Sequence, residues 1–277
     1  LDFLAVMNTR LMKGQKVLQG YLSAKNPVDT WVSGTFAIAF WTVNHLWHLG
    51  KYNLGLSSCL GGTGMCISAD IVREFGWGCD CLTEDMEFSM KCLSHGIRTC
   101  WVHDAIIYDE KPLTFMASWR QRKRWAQGQF DCSERYIPIL MKEGFKRHSI
   151  VVLDGIMQLL QNYFLLISAF YLVMTYINMF YPCFTVVLYN DALVPRQFWS
   201  VLGTIQYVLP LIVLLQIEVP AKIYLYWLIY PVFMYSWVPV TFLGWIHRHE
   251  KQWVHTIHTR SMQFQAASLT RKKEIDS

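Results

Sequence analysis

Two short runs carry the residue types that catalysis needs. Thr83-Glu84-Asp85 sets two adjacent carboxylates at the start of a predicted helix, and Gln121-Arg122-Lys123-Arg124-Trp125 sets an amide, cations and an indole on another. An Asp near a helix N-terminus stays ionised at pH 7, as a general base must, because the helix dipole favours negative charge there. In the second run, positions 121, 124 and 125 share one face by i, i+3, i+4 spacing. Guanidinium forks bind phosphate oxygens two at a time, and an indole stacks on the apolar face of a sugar, so this face suits a sugar–pyrophosphate. Each run also has a plain structural explanation. Threonine is a good N-cap with acids in the following turn, and a basic, aromatic helix can simply lie on anionic lipid.

The elements around these runs alternate between strand and helix. Phe3, Leu4, Met7 and Leu11 recur at helical spacing, with Gly14 as a stop, and Lys16–Ser23 reads as a strand. A buried helix is expected from Thr30 to Leu49, a strand over Gly64–Ser68 after Gly61-Gly62, and a short helix over Ala69–Phe75. Thr83–His95 is amphipathic, with Met86, Met90 and Leu93 on one face and Gly96 closing it. Ile97–Tyr108 is strand-like, and the basic helix is expected from about Thr114 to Arg135. Such alternation indicates an α/β domain.

Composition then divides the chain. It is 53% hydrophobic and only 16% charged, and between Val151 and Ile246 the charges are Asp154, Asp191, Arg196, Glu218 and Lys222 alone. Three uncharged runs, Tyr163–Tyr189, Gln197–Ile217 and Ile223–Ile246, are each long enough as helices to cross a hydrocarbon core of about 30 Å. Prolines 182, 210, 231 and 239 would kink them, which membrane bundles tolerate. Between Phe115 and His148, Arg120, Arg122, Lys123, Arg124, Arg135, Lys142, Lys146 and Arg147 outnumber Asp131, Glu134 and Glu143, and the tail after Ile246 is also basic. Basic flanks beside apolar spans are expected on the cytoplasmic side. Three crossings would put those flanks on opposite sides, so the parity is left open. Nucleic-acid binding would explain the basic clusters but not the apolar half. The eight cysteines form no CxxC pair and read as reduced cytosolic thiols, and His45, His48 and His103 read as packing or surface histidines. The opening Leu1-Asp2-Phe3-Leu4 reads as the middle of a longer chain, so a fragment is expected.

The two runs, in this order and ahead of apolar segments, resemble the TED and Q(Q/R)xRW patterns of the membrane-integrated family 2 glycosyltransferases, such as cellulose, chitin, hyaluronan and poly-N-acetylglucosamine synthases. The likeness covers roughly Lys16 to Ile246 and includes Gly61–Trp77, similar to the family's acceptor-side segment. It implies an incomplete α/β GT-A-like catalytic domain over residues 1–112, an interfacial helix over 113–148, an all-α transmembrane region over 149–246 and a cytosolic tail over 247–277.

The resemblance further implies inverting, probably UDP-dependent, transfer from a nucleotide-sugar donor to a growing β-linked polysaccharide acceptor, at the lipid bilayer of the cytoplasmic membrane, with no nucleic acid and with room for accessory subunits. Asp85 would be the base and Glu84 its support. Gln121, Arg122 and Arg124 would contact the donor pyrophosphate or the acceptor end, and Trp125 would stack under the acceptor sugar. Trp253-Val254-His255-Thr256 with Arg260 faintly resembles a gating segment. Mg²⁺ or Mn²⁺ would be held by an Asp-x-Asp expected upstream of Leu1, so no metal ligand is assigned in this chain and the fragment alone is expected to be inactive. The alternatives are a non-processive enzyme acting on a lipid carrier and a non-enzymatic transporter or scaffold.

Overall fold

The computed structural model describes residues 3–181 and 196–250. Strand β1 (Val17–Ala24) is the centre of a three-stranded mixed sheet and is buried along its whole length. Strand β2 (Met65–Ile67) pairs with it antiparallel, and β3 (Thr99–Asp109) pairs parallel on the other side. The register breaks once. Gly20 faces Val102 but Tyr21 faces Ile106, so β3 loops out His103, Asp104 and Ala105 in a wide bulge. A Cβ on Gly20 would lie 2.5 Å from the Ala105 carbonyl oxygen, so the crossing of the two strands depends on a glycine there.

The helices follow from local signals with two departures. Helix α1 (Phe3–Met12) stops ahead of Gly14, whose φ is +84°. Helix α2 (Trp31–Thr42) opens in a capping box in which Thr30 and Ser33 satisfy each other's backbone N–H. The single helix expected to run on to Leu49 instead widens into a π-helical segment, Val43–His48, followed by α3 (Leu49–Asn53). There His48 stacks on Trp101 at 4.7 Å, and Lys51 Nζ reaches Asp154 Oδ2 at 2.7 Å. After α4 (Ala69–Phe75), α5 (Glu84–Ser94) closes on Gly96. With φ +82°, Gly96 donates to the Leu93 carbonyl while Ile97 donates to Cys92. Helix α6 (Phe115–Lys146) is longer than expected, because capping by Thr114 starts it and it continues through Pro138.

The apolar half forms α7 (Ile150–Leu159), α8 (Gln161–Phe180), α9 (Arg196–Gln216), α10 (Lys222–Tyr235) and α11 (Trp237–Ile246). By length and composition one stretch, Lys222–Ile246, can cross a membrane. Helices α7 and α8 qualify only as a pair bent by 50°, and the apolar part of α9, Val201–Gln216, is shorter. The expectation of three straight crossings is therefore corrected to one candidate span, or two if the bent pair counts as one. Residues 182–189 of the first expected run, and the tail from 251 with Trp253 and Arg260, lie outside the described residues.

Helix α6 runs along both halves, and glycines set how close its neighbours come. A Cβ on Gly128 would stand 2.6 Å from Thr83 Oγ1 and 2.7 Å from the Thr83 backbone nitrogen. A Cβ on Gly244 of α11 would stand 2.5 Å from that of Ala126. A second joint is apolar: Phe36 of α2 meets Phe233 of α10 edge-on at 5.2 Å, both fully buried. Each such phenyl ring stabilises the joint by about 1.5–3 kcal/mol. The Gly128 contact can be tested against a matched control. Gly128→Ala should lower stability by about 1–3 kcal/mol by overpacking, despite alanine's better helix propensity. Gly50→Ala in α3, where a new Cβ meets nothing within 4 Å, should be neutral or stabilising by up to about 1 kcal/mol. Thermal unfolding of the two variants reads the difference in sign.

Candidate active site

Asp85 lies in the first turn of α5, opposite a glycine-rich loop, residues 61–64, that strand β1 holds in shape. The Gln19 side chain reaches out of the sheet and makes both kinds of hydrogen bond. Its Oε1 accepts from the Gly61 N–H at 2.8 Å, and its Nε2 donates to the Thr63 carbonyl at 2.9 Å. Ser89 ties the same loop to α5 by accepting from the Leu60 N–H at 2.8 Å, while its hydroxyl donates to the Asp85 carbonyl. A Cβ on Gly62 would sit 3.3 Å from Asp85 Oδ2, so the bare glycine leaves that oxygen open to the loop.

The carboxylate itself is poised. Burial pushes the Asp85 pKa up to about 6, against the opposing pull of the Met86 N–H, which donates to Oδ1 at 2.7 Å. Glu84 raises it further, and the Arg124 cation facing it from α6 lowers it. The group is thus still mostly ionised at pH 7, though with far less margin than a helix dipole alone would give. Glu84 beside it is exposed.

The capping expectation for Thr83 is corrected. Its side chain makes no cap hydrogen bond and is buried against Gly128 instead. The backbone there is stabilised from elsewhere, as Glu87 Oε2 accepts from the N–H groups of Asp80 and Cys81 at 2.7 Å each. Arg135 on α6 stands 3.6 Å from the other Glu87 oxygen.

The second run divides between two faces of α6. Arg124 interacts electrostatically with Asp85, and Trp125 beside it packs against Phe36 at 6.0 Å and Phe40 at 6.3 Å. Gln121, one turn earlier on that face, is half-buried, and its Oε1 has no hydrogen-bond partner among the described residues. Arg122 is turned the other way. It is completely buried, with Nη1 donating to Ser236 Oγ at 2.8 Å and its Cζ 4.5 Å from the Phe233 ring centre and 5.1 Å from that of Trp237. Burial lowers its pKa to about 10, so it keeps its charge, met by aromatic faces. The expectation that Arg122 contacts a pyrophosphate is therefore corrected, because a guanidinium enclosed in this way offers no surface to a soluble ligand.

Sequence reasoning missed three contributors. Gln19 was visible only as a polar residue inside an apolar strand, and Glu87 only as one of several acids in α5. Lys111 carried no signal: its ammonium lies 3.5 Å from the centre of the Phe40 ring and 3.2 Å from Asp109 Oδ2, fully buried beside Trp125's neighbour. Among the described residues no group of three or more His, Cys, Asp or Glu is arranged to hold a metal ion, so the residues present do not by themselves fit a divalent cation.

Comparison with known proteins agrees with this geometry. A Bacillus subtilis (strain 168) protein described as a probable glycosyltransferase, YdaM, is 30% identical over 80 residues. That match spans 28% of this chain and 19% of the relative's length. Residues 2–245 match the model of the family described as Glycosyl transferase family group 2. With nearly its whole length matched, the chain belongs to glycosyl transferase family group 2.

Proposed function

We propose that the chain supplies the catalytic base and acceptor side of an inverting glycosyltransferase that moves a sugar from a nucleotide-sugar donor, a UDP-sugar, onto a growing β-linked polysaccharide at a membrane. The observation that carries this reading is Asp85, a half-buried carboxylate with a pKa near 6, set between the glycine loop and Arg124. In the proposed step an acceptor hydroxyl gives its proton to Asp85 Oδ2 as its oxygen attacks the anomeric carbon from the face opposite the leaving group. The bond from that carbon to the diphosphate oxygen breaks, and its electron pair leaves with the diphosphate. Arg124 stabilises the departing charge, Gln121 Oε1 accepts from a ligand hydroxyl, and Trp125 supplies an apolar face for a sugar ring.

The mixed sheet flanked by helices is consistent with a GT-A-like core. The Lys222–Ile246 stretch supports a membrane location, with Leu225, Leu228 and Val232 turned outward. Family membership favours this enzyme over a transporter or scaffold. A divalent cation on the donor remains part of the reading, and accessory subunits would be compatible with it.

Three outcomes test the base assignment in the complete protein. Asp85→Asn should cut transfer by about 10²–10⁴-fold while donor affinity changes little. Radiolabelled sugar incorporation with parallel donor titration reads both, and near-normal polymer synthesis would sink the assignment. In the unaltered enzyme, kcat/KM should fall about tenfold per pH unit below about pH 6, as Asp85 becomes protonated. The third outcome is a stability change of fixed sign. A carboxyl whose pKa is raised on folding destabilises the fold once ionised, so the cost is absent below about pH 4 and complete above about pH 6. Asp85→Asn should therefore raise Tm near pH 7.5, by at most about 3 kcal/mol of stability, and leave it unchanged near pH 4.

A further inference from the structure

The bulge in β3 does more than interrupt the sheet. It lines a cleft of about 470 Å³ with His103 and Asp104, between the ends of β1 and β3 and the loop that joins α9 to α10. The same cleft is bounded by Tyr21 and Ser23, which alternate along β1 with Leu22, whose methyl groups approach Gly61 and Gly64 of the loop facing Asp85. The cleft and the glycine loop thus lie against opposite faces of β1.

The cleft's polar groups are fixed. The Trp101 indole N–H, which can only donate, points to His103 Nδ1 at 3.2 Å, so neutral His103 carries its proton on Nε2. The Trp41 carbonyl, which can only accept, lies 3.1 Å from His45 Nδ1, so that nitrogen carries the proton and Nε2 is an acceptor. The two rings stand perpendicular, 4.9 Å apart, each edge-on to or beside Tyr21. A donor and an acceptor are thereby presented side by side, the arrangement that neighbouring hydroxyls of a sugar ring satisfy. Trp41 and Tyr108 add aromatic surface.

Charge narrows the ligand further. Asp104 and Glu218 are the ionised groups of the lining, and no lysine or arginine among the described residues joins them. Burial and the neighbouring His45 both lower the pKa of His103, keeping it neutral near pH 7. A phosphate or nucleoside diphosphate would meet only like charge here. A neutral, hydroxyl-rich molecule would meet donors, carboxylate acceptors and rings.

We propose that this cleft is a second saccharide site, separate from Asp85, that takes a short segment of neutral oligosaccharide. The choice of a saccharide over another polyol rests on the glycosyl-transfer reading. The test uses the complete protein in lipid nanodiscs, since maltoside detergents would themselves compete. Cellotetraose and chitotetraose are titrated by saturation-transfer NMR, with UDP as the charged comparison. At least one tetrasaccharide should bind saturably, and Tyr108→Ala and Asp104→Asn, both at exposed positions, should each weaken it about tenfold or more. Asp85→Asn should leave that affinity within about twofold, and neither cleft variant should alter UDP binding. The proposal is overturned if neither sugar binds up to about 10 mM, or if the cleft variants bind as the parent does while Trp125→Ala abolishes binding. Retained transfer in Asp85→Asn would instead sink the base assignment and leave the cleft result standing, so the two failures are distinct.

Discussion

Helix α6 meets everything that matters in this protein, and it does so at distances that only small residues allow. Gly128 lets it lie directly against Thr83 at the head of α5, and Gly244 lets α11 close on Ala126 from the other side. Arg122 pins it to Ser236, where α10 gives way to α11. Gln129 and Ser133 donate to the carbonyls at the end of α7. With so many partners fixed, Arg124 and Trp125 have little freedom in where they point. The facing of Arg124 towards Asp85 is thus a result of backbone contacts made elsewhere along the helix.

This arrangement explains why one motif serves two purposes. Adjacent positions on a helix are about 100° apart, so Arg122 and Arg124 cannot share a direction. One cation acts on the reacting side, and the other acts as a structural pin inside a box of Phe115, Phe233 and Trp237. The pin costs desolvation, which the rings and the Ser236 hydroxyl offset. It joins the catalytic helix to the stretch that is long and apolar enough to enter a membrane. Chemistry on one side and anchoring on the other are therefore mechanically connected through five consecutive residues.

Much of this was legible in the sequence, because the signals were local. The 83–85 and 121–125 runs, the helix closed by Gly96 and the strand from Val17 all follow from spacing and turn chemistry. What stayed hidden depended on contacts across the fold. Nothing in Arg122 distinguishes it from Arg124 until Phe233 and Trp237 are brought beside it. Thr83 looks like a cap until Gly128 packs on it. The bulge at His103–Ala105 arises from pairing with Gly20, more than eighty residues away in sequence, and no local pattern records it. The apolar runs overstated the crossings because hydropathy does not register a 50° bend between α7 and α8.

The π-helical segment over Val43–His48 has a consequence for how this chain can change over time. A π turn holds an extra residue relative to an α turn. Losing a single residue there would let the helix relax to ordinary geometry and swing all that follows by about 100°. Lys51 would leave Asp154, and His48 would leave Trp101 and Ser58. Side-chain replacements in this stretch would be felt one contact at a time, whereas a one-codon deletion would break several at once. Segment length, more than residue identity, is the trait that relatives sharing this geometry would have to preserve.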